Sequence, residues 1–171
     1  MLIYNLSFGI LITLLSSLTY IFDKKHFWIL TMSTCIFYFF LDSFLELFIF
    51  KRLLYLPHHI LSLIICFYFL KFDQIKAISL IYLLIESTSV IINLREILKN
   101  KKLLSKYLDL SFLIYYILIR CIIGPFLYFK IDNKLNIFTN FSGLSILIMS
   151  IYWSIIWSRK LLKKFKLNYK P

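Results

Sequence analysis

The sequence predicts an all-α integral membrane protein with six transmembrane helices in a single domain. Of the 171 residues, 61% are hydrophobic, and the mean hydropathy is +0.83. A helix needs roughly 20 apolar residues to cross a bilayer, and six runs of about this length follow one another along the chain. The breaks between the runs are short and carry Lys and Arg, and none resembles a linker between domains. We therefore expect residues 1–171 to form one bundle.

The predicted spans follow one another so closely that each should turn back on the one before it. The connections have two to eight residues, which favours antiparallel packing of sequential helices. The first span lacks the basic start and the small-residue cleavage site of a signal peptide, so we expect it to be retained. The spans are residues 2–22, 27–50, 53–70, 77–98, 107–129 and 138–157.

The positive charge of the chain, formally +12, predicts its orientation. Lys and Arg lie in the breaks and the tail, not along one long face, which argues against nucleic acid and favours anionic lipid headgroups as partners. Thirteen of them lie at the breaks after the second, fourth and sixth spans, against six at the other breaks. Lys24 and Lys25 alone favour the opposite insertion. The larger total places both termini, with the basic tail 159–171, in the cytosol.

Two adjacent imidazoles, His58 and His59, are the most informative polar groups. Imidazoles are costly in hydrocarbon, so they suggest a polar interior site, although a packing role is the alternative. Counting from the break at residues 51–52 places both about 9 Å deep, at the level of Glu46. Asp42 lies one turn deeper on the same helix face as Glu46. The sequence thus predicts a layer of histidines and carboxylates near the cytosolic side.

A second polar level is expected deeper in the bundle. Glu86 and Arg120 each lie about 20 Å from the nearest break, on consecutive antiparallel helices. A charge in lipid costs about 2.5 to 3.5 kcal/mol on insertion scales, and pairing is the ordinary remedy. We therefore predict a structural ion pair between Glu86 and Arg120. By the same count, Asn93 and Asp109 join the shallow layer of the histidines.

Several chemistries lack support in the sequence. The three cysteines have no CxxC spacing, so neither a disulfide framework nor a zinc site is predicted from them. Adjacent residues of a helix point about 100° apart, so His58 and His59 are poorly placed to bind one metal ion together. The chain contains no P-loop, GxSxG, HExxH or dinucleotide fingerprint. His26 lies in a connection and is assigned no role. We expect no metal and no bound cofactor.

Five segments occur in an order that is hard to obtain by chance. They are Asp42, the run Leu-Pro-His-His-Ile-Leu-Ser-Leu at residues 56–63, the run Glu86-Ser-Thr-Ser leading to Asn93-Leu-Arg95, Arg120 with Pro125, and Tyr152-Trp153. Together they resemble the TLC-domain family, which includes translocating-chain-associating membrane proteins, ceramide synthases and a ceroid-lipofuscinosis-related protein of the endoplasmic reticulum. The resemblance runs from the second span to the sixth.

The resemblance implies a bundle around a lipid-accessible cavity, with His58 and His59 facing it, in the endoplasmic reticulum membrane. In ceramide synthases this histidine pair serves N-acylation of a sphingoid base by acyl-CoA. The present chain lacks the second histidine pair and the paired aspartates of the synthase signature, and so looks closer to the small non-synthase members. The supporting candidates for lipid binding are Asp42, Glu46, Asn93 and Arg95.

Three functions are compatible with these observations. The first is lipid handling or regulation of membrane lipid composition without chemistry, which we favour. The second is acyl transfer with acyl-CoA as co-substrate, in which His58 or His59 acts as general base or acyl acceptor and Asp42 or Glu46 orients it. The third is an accessory role in protein translocation or sorting. Membrane lipid is the expected partner in the first two, and the oligomeric state stays open, a homo-oligomer included.

Overall fold

The computed structural model describes residues 2–50, 56–70, 75–131 and 137–167, and every element in these ranges is helical. The α-helices are α1 (Leu2–Phe22), α2 (Lys25–Phe44), α3 (Leu56–Phe69), α4 (Ile75–Asn100), α5 (Lys106–Ile117), α6 (Gly124–Ile131) and α7 (Ile137–Leu167). Two π-helical segments continue them: Leu45–Phe50 extends α2, and Leu118–Ile123 joins α5 to α6. The described chain thus forms six rods, in the predicted order.

Five of the six rods are long and apolar enough to cross a membrane, which confirms an all-α membrane bundle. The exception is α3, whose 14 residues rise about 21 Å, less than the roughly 30 Å of a hydrocarbon core. Residues 53–55, the start of the predicted third span, lie outside the described residues. The helix that carries both histidines is therefore short within the described structure.

The last helix is longer than its predicted span. We placed its end at residue 157 and a tail beyond it, but α7 has 31 residues and continues to Leu167. Lys, Arg and Leu favour helix, so the basic stretch extends the helix instead of interrupting it. Leu161 in this extension is buried, which shows that the extension packs against the bundle. Residues 168–171 of the predicted tail lie outside the described residues.

The rods close into a ring whose order differs from the order of the chain. Around the ring, α1 lies between α2 and α4, α3 lies between α2 and α7, and the rod of α5 and α6 lies between α7 and α4. The expectation that all sequential helices are closest neighbours is therefore wrong for α3 and α4. One reason is Gly9: a Cβ there would lie 3.3 Å from the Val90 side chain, so glycine permits an unusually close approach of α1 to α4.

One end of the ring is filled by aromatic side chains. The fully buried Trp28 donates its indole N–H to the carbonyl oxygen of Phe69 at 3.0 Å, which joins α2 to α3. Cys66 and Tyr82 are 3.2 Å apart between Sγ and the phenol oxygen, which joins α3 to α4. Polar contacts thus link α3 to α2, its neighbour in the ring, and to α4, which lies across the core.

A buried carboxylate joins three helices at the opposite end. Ser105 caps α5 by accepting from the Leu108 amide, and Asp109 follows in the first turn, fully buried. Its carboxylate accepts from Arg95 Nε at 2.7 Å, from Trp157 Nε1 at 2.8 Å and from Lys164 Nζ at 2.7 Å. The Arg95 guanidinium also stacks 4.4 Å from the Trp157 ring. These four residues form a clamp between α4, α5 and α7.

We expect Asp109→Asn to lower the free energy of unfolding in detergent by about 3 kcal/mol or more, because two cations and an indole would then face a neutral amide. Thermal unfolding followed by circular dichroism measures the loss. The matched control is Glu96→Gln: Glu96 is partly exposed and pairs with Arg95 and Lys99, so its loss should cost about 1 kcal/mol or less. Equal losses in the two variants would contradict the clamp.

Candidate functional site

A cavity of about 160 Å³ lies inside the ring, lined by α2, α3, α4, α7 and the rod of α5 and α6. Helix α1 contributes no lining residue and supports the wall from outside. Polar side chains gather in one part of the cavity, and those used below are His58, His59, Ser62, Glu86, Ser89 and Arg120. The site is therefore a polar pocket within an apolar bundle.

The other part of the cavity is apolar and reaches the outer surface. Phe69 and Tyr82 line it, and Phe69 lies eleven residues, or about 16 Å of helix, from His58. Phe129 and Leu144 line it too, yet they are 67% and 49% exposed. The cavity therefore opens between α6 and α7, on the side of the bundle that faces lipid.

A glycine shapes the wall beside this opening. A Cβ at Gly143 would lie 2.7 Å from the Tyr128 ring, too close for the ring to keep its place. Both residues line the cavity, so the absence of a side chain on α7 lets the tyrosine ring pack against the helix. No sequence pattern indicated this pairing.

The two histidines lie at the start of α3, as their position after Pro57 suggests, because proline fits the first turn of a helix. His59 is buried, and its Nε2 lies 3.2 Å from Asp42 Oδ2 on α2. The Phe39 ring packs beside both imidazoles, with centroids 6.4 Å from His58 and 6.0 Å from His59. Both histidines line the cavity, and Asp42 orients the second one.

Arg120 lies on the π-helical segment that precedes Pro125. Proline lacks the N–H of a helical residue, and its ring conflicts with the carbonyl four positions earlier, here that of Cys121. The wider π-helical turn accommodates this conflict and places Arg120 in the cavity wall. Its guanidinium donates to Thr88 Oγ1 at 2.6 Å and to Ser89 Oγ at 3.1 Å on α4.

The predicted ion pair between Glu86 and Arg120 is not a direct contact. Both side chains line the cavity at one level, but within the described residues no ion pair of 4 Å or less joins them. Arg120 is instead held by hydroxyls one turn along α4 from Glu86. The expectation of a direct pair is wrong, because the guanidinium donates to neutral hydroxyl groups instead of the carboxylate.

The two predicted polar levels do not match the groups of side chains in the structure. His58 and His59 share a cavity with Glu86 and Arg120, while Asp109 belongs to the clamp. Counting depth from the breaks assumed that every helix ends at the membrane surface. With 26 residues, α4 exceeds the roughly 20 that a membrane requires, so its end does not mark a fixed depth.

The four supporting candidates lie around the cavity but not in its lining. Asp42 contacts His59, and Glu46 is buried one turn further on in the π-helical extension of α2. Asn93 donates to the backbone carbonyl of Ser89 in its own helix, and Arg95 belongs to the clamp. Asp42 thus contacts a cavity residue, His59, through its side chain, and Asn93 contacts another, Ser89, through the backbone carbonyl.

Sequence reasoning missed the serines that line the polar part. Ser62 lies one turn after His58, and Ser89 lies one turn after Glu86, so both share a helix face with a residue that was singled out. This spacing was a usable signal. Within the described ranges, no group of three His, Cys, Asp or Glu side chains is arranged to hold a metal ion.

The comparison with known families agrees with the architecture. A family model described as the TLC domain matches residues 1–163. Searches among curated proteins and among solved structures gave no match. The matched range spans almost the whole chain and includes the histidine pair, the Glu86 segment and Arg120. This multi-pass membrane protein belongs to the TLC-domain family.

Proposed function

We propose that the protein binds a membrane lipid in this cavity and thereby handles or senses membrane lipid. The carrying observation is a single cavity that combines a polar pocket with an apolar opening towards the bilayer. Polar and ionisable side chains inside membrane bundles usually mark a functional site. A lipid headgroup satisfies the polar pocket, and its chain continues through the opening.

The size of the cavity sets how the lipid would bind. A cavity of about 160 Å³ resembles the engineered protein cavities of about 150 Å³ that hold one benzene. It therefore accommodates a headgroup or part of a chain and not a whole lipid. The exposed Phe129 and Leu144 at the opening let the remaining chain stay in the surrounding membrane.

The charges at one end of the bundle support the proposed orientation. Ring contact between Tyr4 and Tyr38 places the start of α1 beside the end of α2, on the side where Asp109 joins α5 to α7. The described chain thus begins and ends on one side, which also carries Lys99 and Lys160. This supports a cytosolic location of both termini, in an endomembrane such as the endoplasmic reticulum.

Acyl transfer with acyl-CoA is the second candidate, favoured by the contact between His59 and Asp42. A carboxylate that holds one imidazole nitrogen is the usual support for a general base at the other. However, His59 Nδ1 is sealed inside the protein and has no hydrogen-bond partner among the described residues. A substrate would reach it only after the wall moves, and this ranks binding above catalysis.

We expect Ser150→Phe to reduce the lipid that co-purifies with the protein, because Ser150 is buried in the cavity wall and a phenyl ring would fill the space. Overpacking costs about 1 to 3 kcal/mol, so the variant should still fold. Mass spectrometry of protein purified in a mild detergent measures the retained lipid. The control is Ser111→Phe, at an exposed position outside the cavity. Equal retention in both variants would contradict binding in the cavity.

We expect the double variant His58→Ala/His59→Ala to retain less lipid than the wild type. We expect neither protein to gain the mass of a covalently bound acyl group. After incubation of the wild type with palmitoyl-CoA, the intact mass should show no acyl adduct and the medium no turnover. His26→Ala, at the exposed start of α2, is the control and should behave as wild type. An adduct or product that forms with wild type and disappears in the double variant would instead establish an acyltransferase.

A further inference from the structure

Arg120 keeps donors available at the cavity. A guanidinium stays protonated and carries five N–H donors. Its Nε and Nη2 donate to the hydroxyls of Thr88 and Ser89 and to the carbonyl of Ile85, which are all neutral. Its Nη1 donates to no residue that the structure describes, and it is not among the sealed atoms that lack a partner. The cation therefore faces the cavity with two N–H groups available and no anion in contact.

Glu86 presents a carboxyl group to the same space. The residue has little access to solvent outside the protein, yet it lines the cavity. Ser89, one turn further along α4, lies beside this carboxylate and also accepts from Arg120. A neutral hydroxyl thus stands between the guanidinium and the carboxyl group. A cation that enters the cavity favours the ionised carboxylate, which has about four acceptor positions, so one serine leaves most of them unused.

From this pair we infer that the cavity takes an amphiphile with a zwitterionic headgroup, whose anionic group binds Arg120 and whose cationic group binds Glu86. The inference rests on the proposed function and specifies its ligand. The apolar chain of the amphiphile leaves through the opening between α6 and α7. His58 and Ser62 line the same space and supply further hydrogen-bonding groups.

Charge balance is the physical reason for this selectivity. With Glu86 ionised beside the cation of the ligand, the two protein charges sum to zero, and a zwitterion adds no net charge to a site surrounded by apolar helices. A fatty acid would satisfy Arg120 but offer Glu86 no cation. A long-chain amine would satisfy Glu86 and leave a second cation beside Arg120. Each of these makes one of the two charged contacts and leaves the other protein group without a partner.

The zwitterion could come from a lipid or from a soluble metabolite with the same charged groups. The apolar opening favours a lipid, because a soluble zwitterion has no chain to occupy it. The two sources differ in one measurable respect, since only the lipid gains affinity from an attached chain.

The test uses the full-length protein in an uncharged maltoside detergent and four probes. Three carry a matched saturated chain: palmitoyl-lysophosphatidylethanolamine, palmitic acid and hexadecylamine. The fourth is glycerophosphoethanolamine, the net-neutral phosphodiester headgroup without a chain. Native mass spectrometry at increasing probe concentration gives an apparent Kd for each. We expect the lysolipid to bind about tenfold or more tightly than the acid or the amine, because it makes both charged contacts. Glycerophosphoethanolamine should bind more weakly than the lysolipid.

Two variants separate the two contacts. Glu86→Gln should weaken binding of the lysolipid about tenfold, to the level of palmitic acid, and leave palmitic acid no weaker. Arg120→Gln should weaken both of these probes and spare hexadecylamine. Lys160→Gln removes an exposed charge outside the cavity and should change nothing. If Arg120→Gln does not fold, the wild-type series and Glu86→Gln decide the matter.

The outcomes separate this inference from the proposed function. Equal binding of the three amphiphiles by wild type, or an unchanged ranking in Glu86→Gln, would overturn zwitterion selectivity while lipid binding stands. Binding of none of the amphiphiles would overturn the proposed function as well. Glycerophosphoethanolamine binding as tightly as the lysolipid would overturn the lipid source and assign the pocket to a soluble zwitterion.

Discussion

The ring depends on polar contacts that join its neighbouring helices. In a bilayer the lipid chains are as apolar as the side chains, so burial of hydrophobic surface gives little force between helices. Close packing and hydrogen bonds have to hold them instead. Asp109 joins α4, α5 and α7, Trp28 and the Asp42–His59 contact join α2 to α3, and Arg120 joins the fifth rod to α4. Each contact satisfies a polar group that would be costly in hydrocarbon.

These contacts also explain where the cavity can exist. The Asp109 clamp fixes α5 against α7 near one end of the bundle. Towards the other end the same pair of rods meets where the Tyr128 ring rests on Gly143, and the exposed Phe129 and Leu144 border the opening. The clamp thus holds the two rods together at one end, and the opening lies towards the other.

Most of the fold could be predicted from the sequence, because the length and polarity of each apolar run decide whether a helix crosses a membrane. The order of the helices around the ring could not, since it depends on close approaches such as that of Gly9 to Val90. Depth counting did not group the polar residues correctly, because helices of 14 and 26 residues do not all end at the same height. Chain length along a helix gives relative positions within that helix, but not the height at which two helices meet.

The candidate site was predicted in part. His58, His59, Glu86 and Arg120 are rare residue types in apolar helices, so they stand out in the sequence, and all four line the cavity. Ser62 and Ser89 do not stand out, because serine in a membrane helix commonly bonds its own backbone and is tolerated almost anywhere. Asn93 and Arg95 are site candidates by their order in the motif, but their side chains do not line the cavity. Asn93 donates to the backbone of α4 itself, and Arg95 donates to Asp109.

Two sets of buried charged residues have different consequences for the protein. The Asp109 carboxylate accepts from three donors, so it holds helices together. Arg120 and Glu86 line the cavity, with a hydroxyl between them and without a direct pair. A protein that needed only stability could bring these two into contact, since a charge left in the membrane interior costs about 2.5 to 3.5 kcal/mol on insertion scales. Their separation is what the proposed ligand requires, because its two charged groups would bind them one each. The buried Nδ1 of His59 also favours binding over catalysis. Proton transfer needs a base that the substrate can reach, whereas binding needs only the charged groups in the cavity.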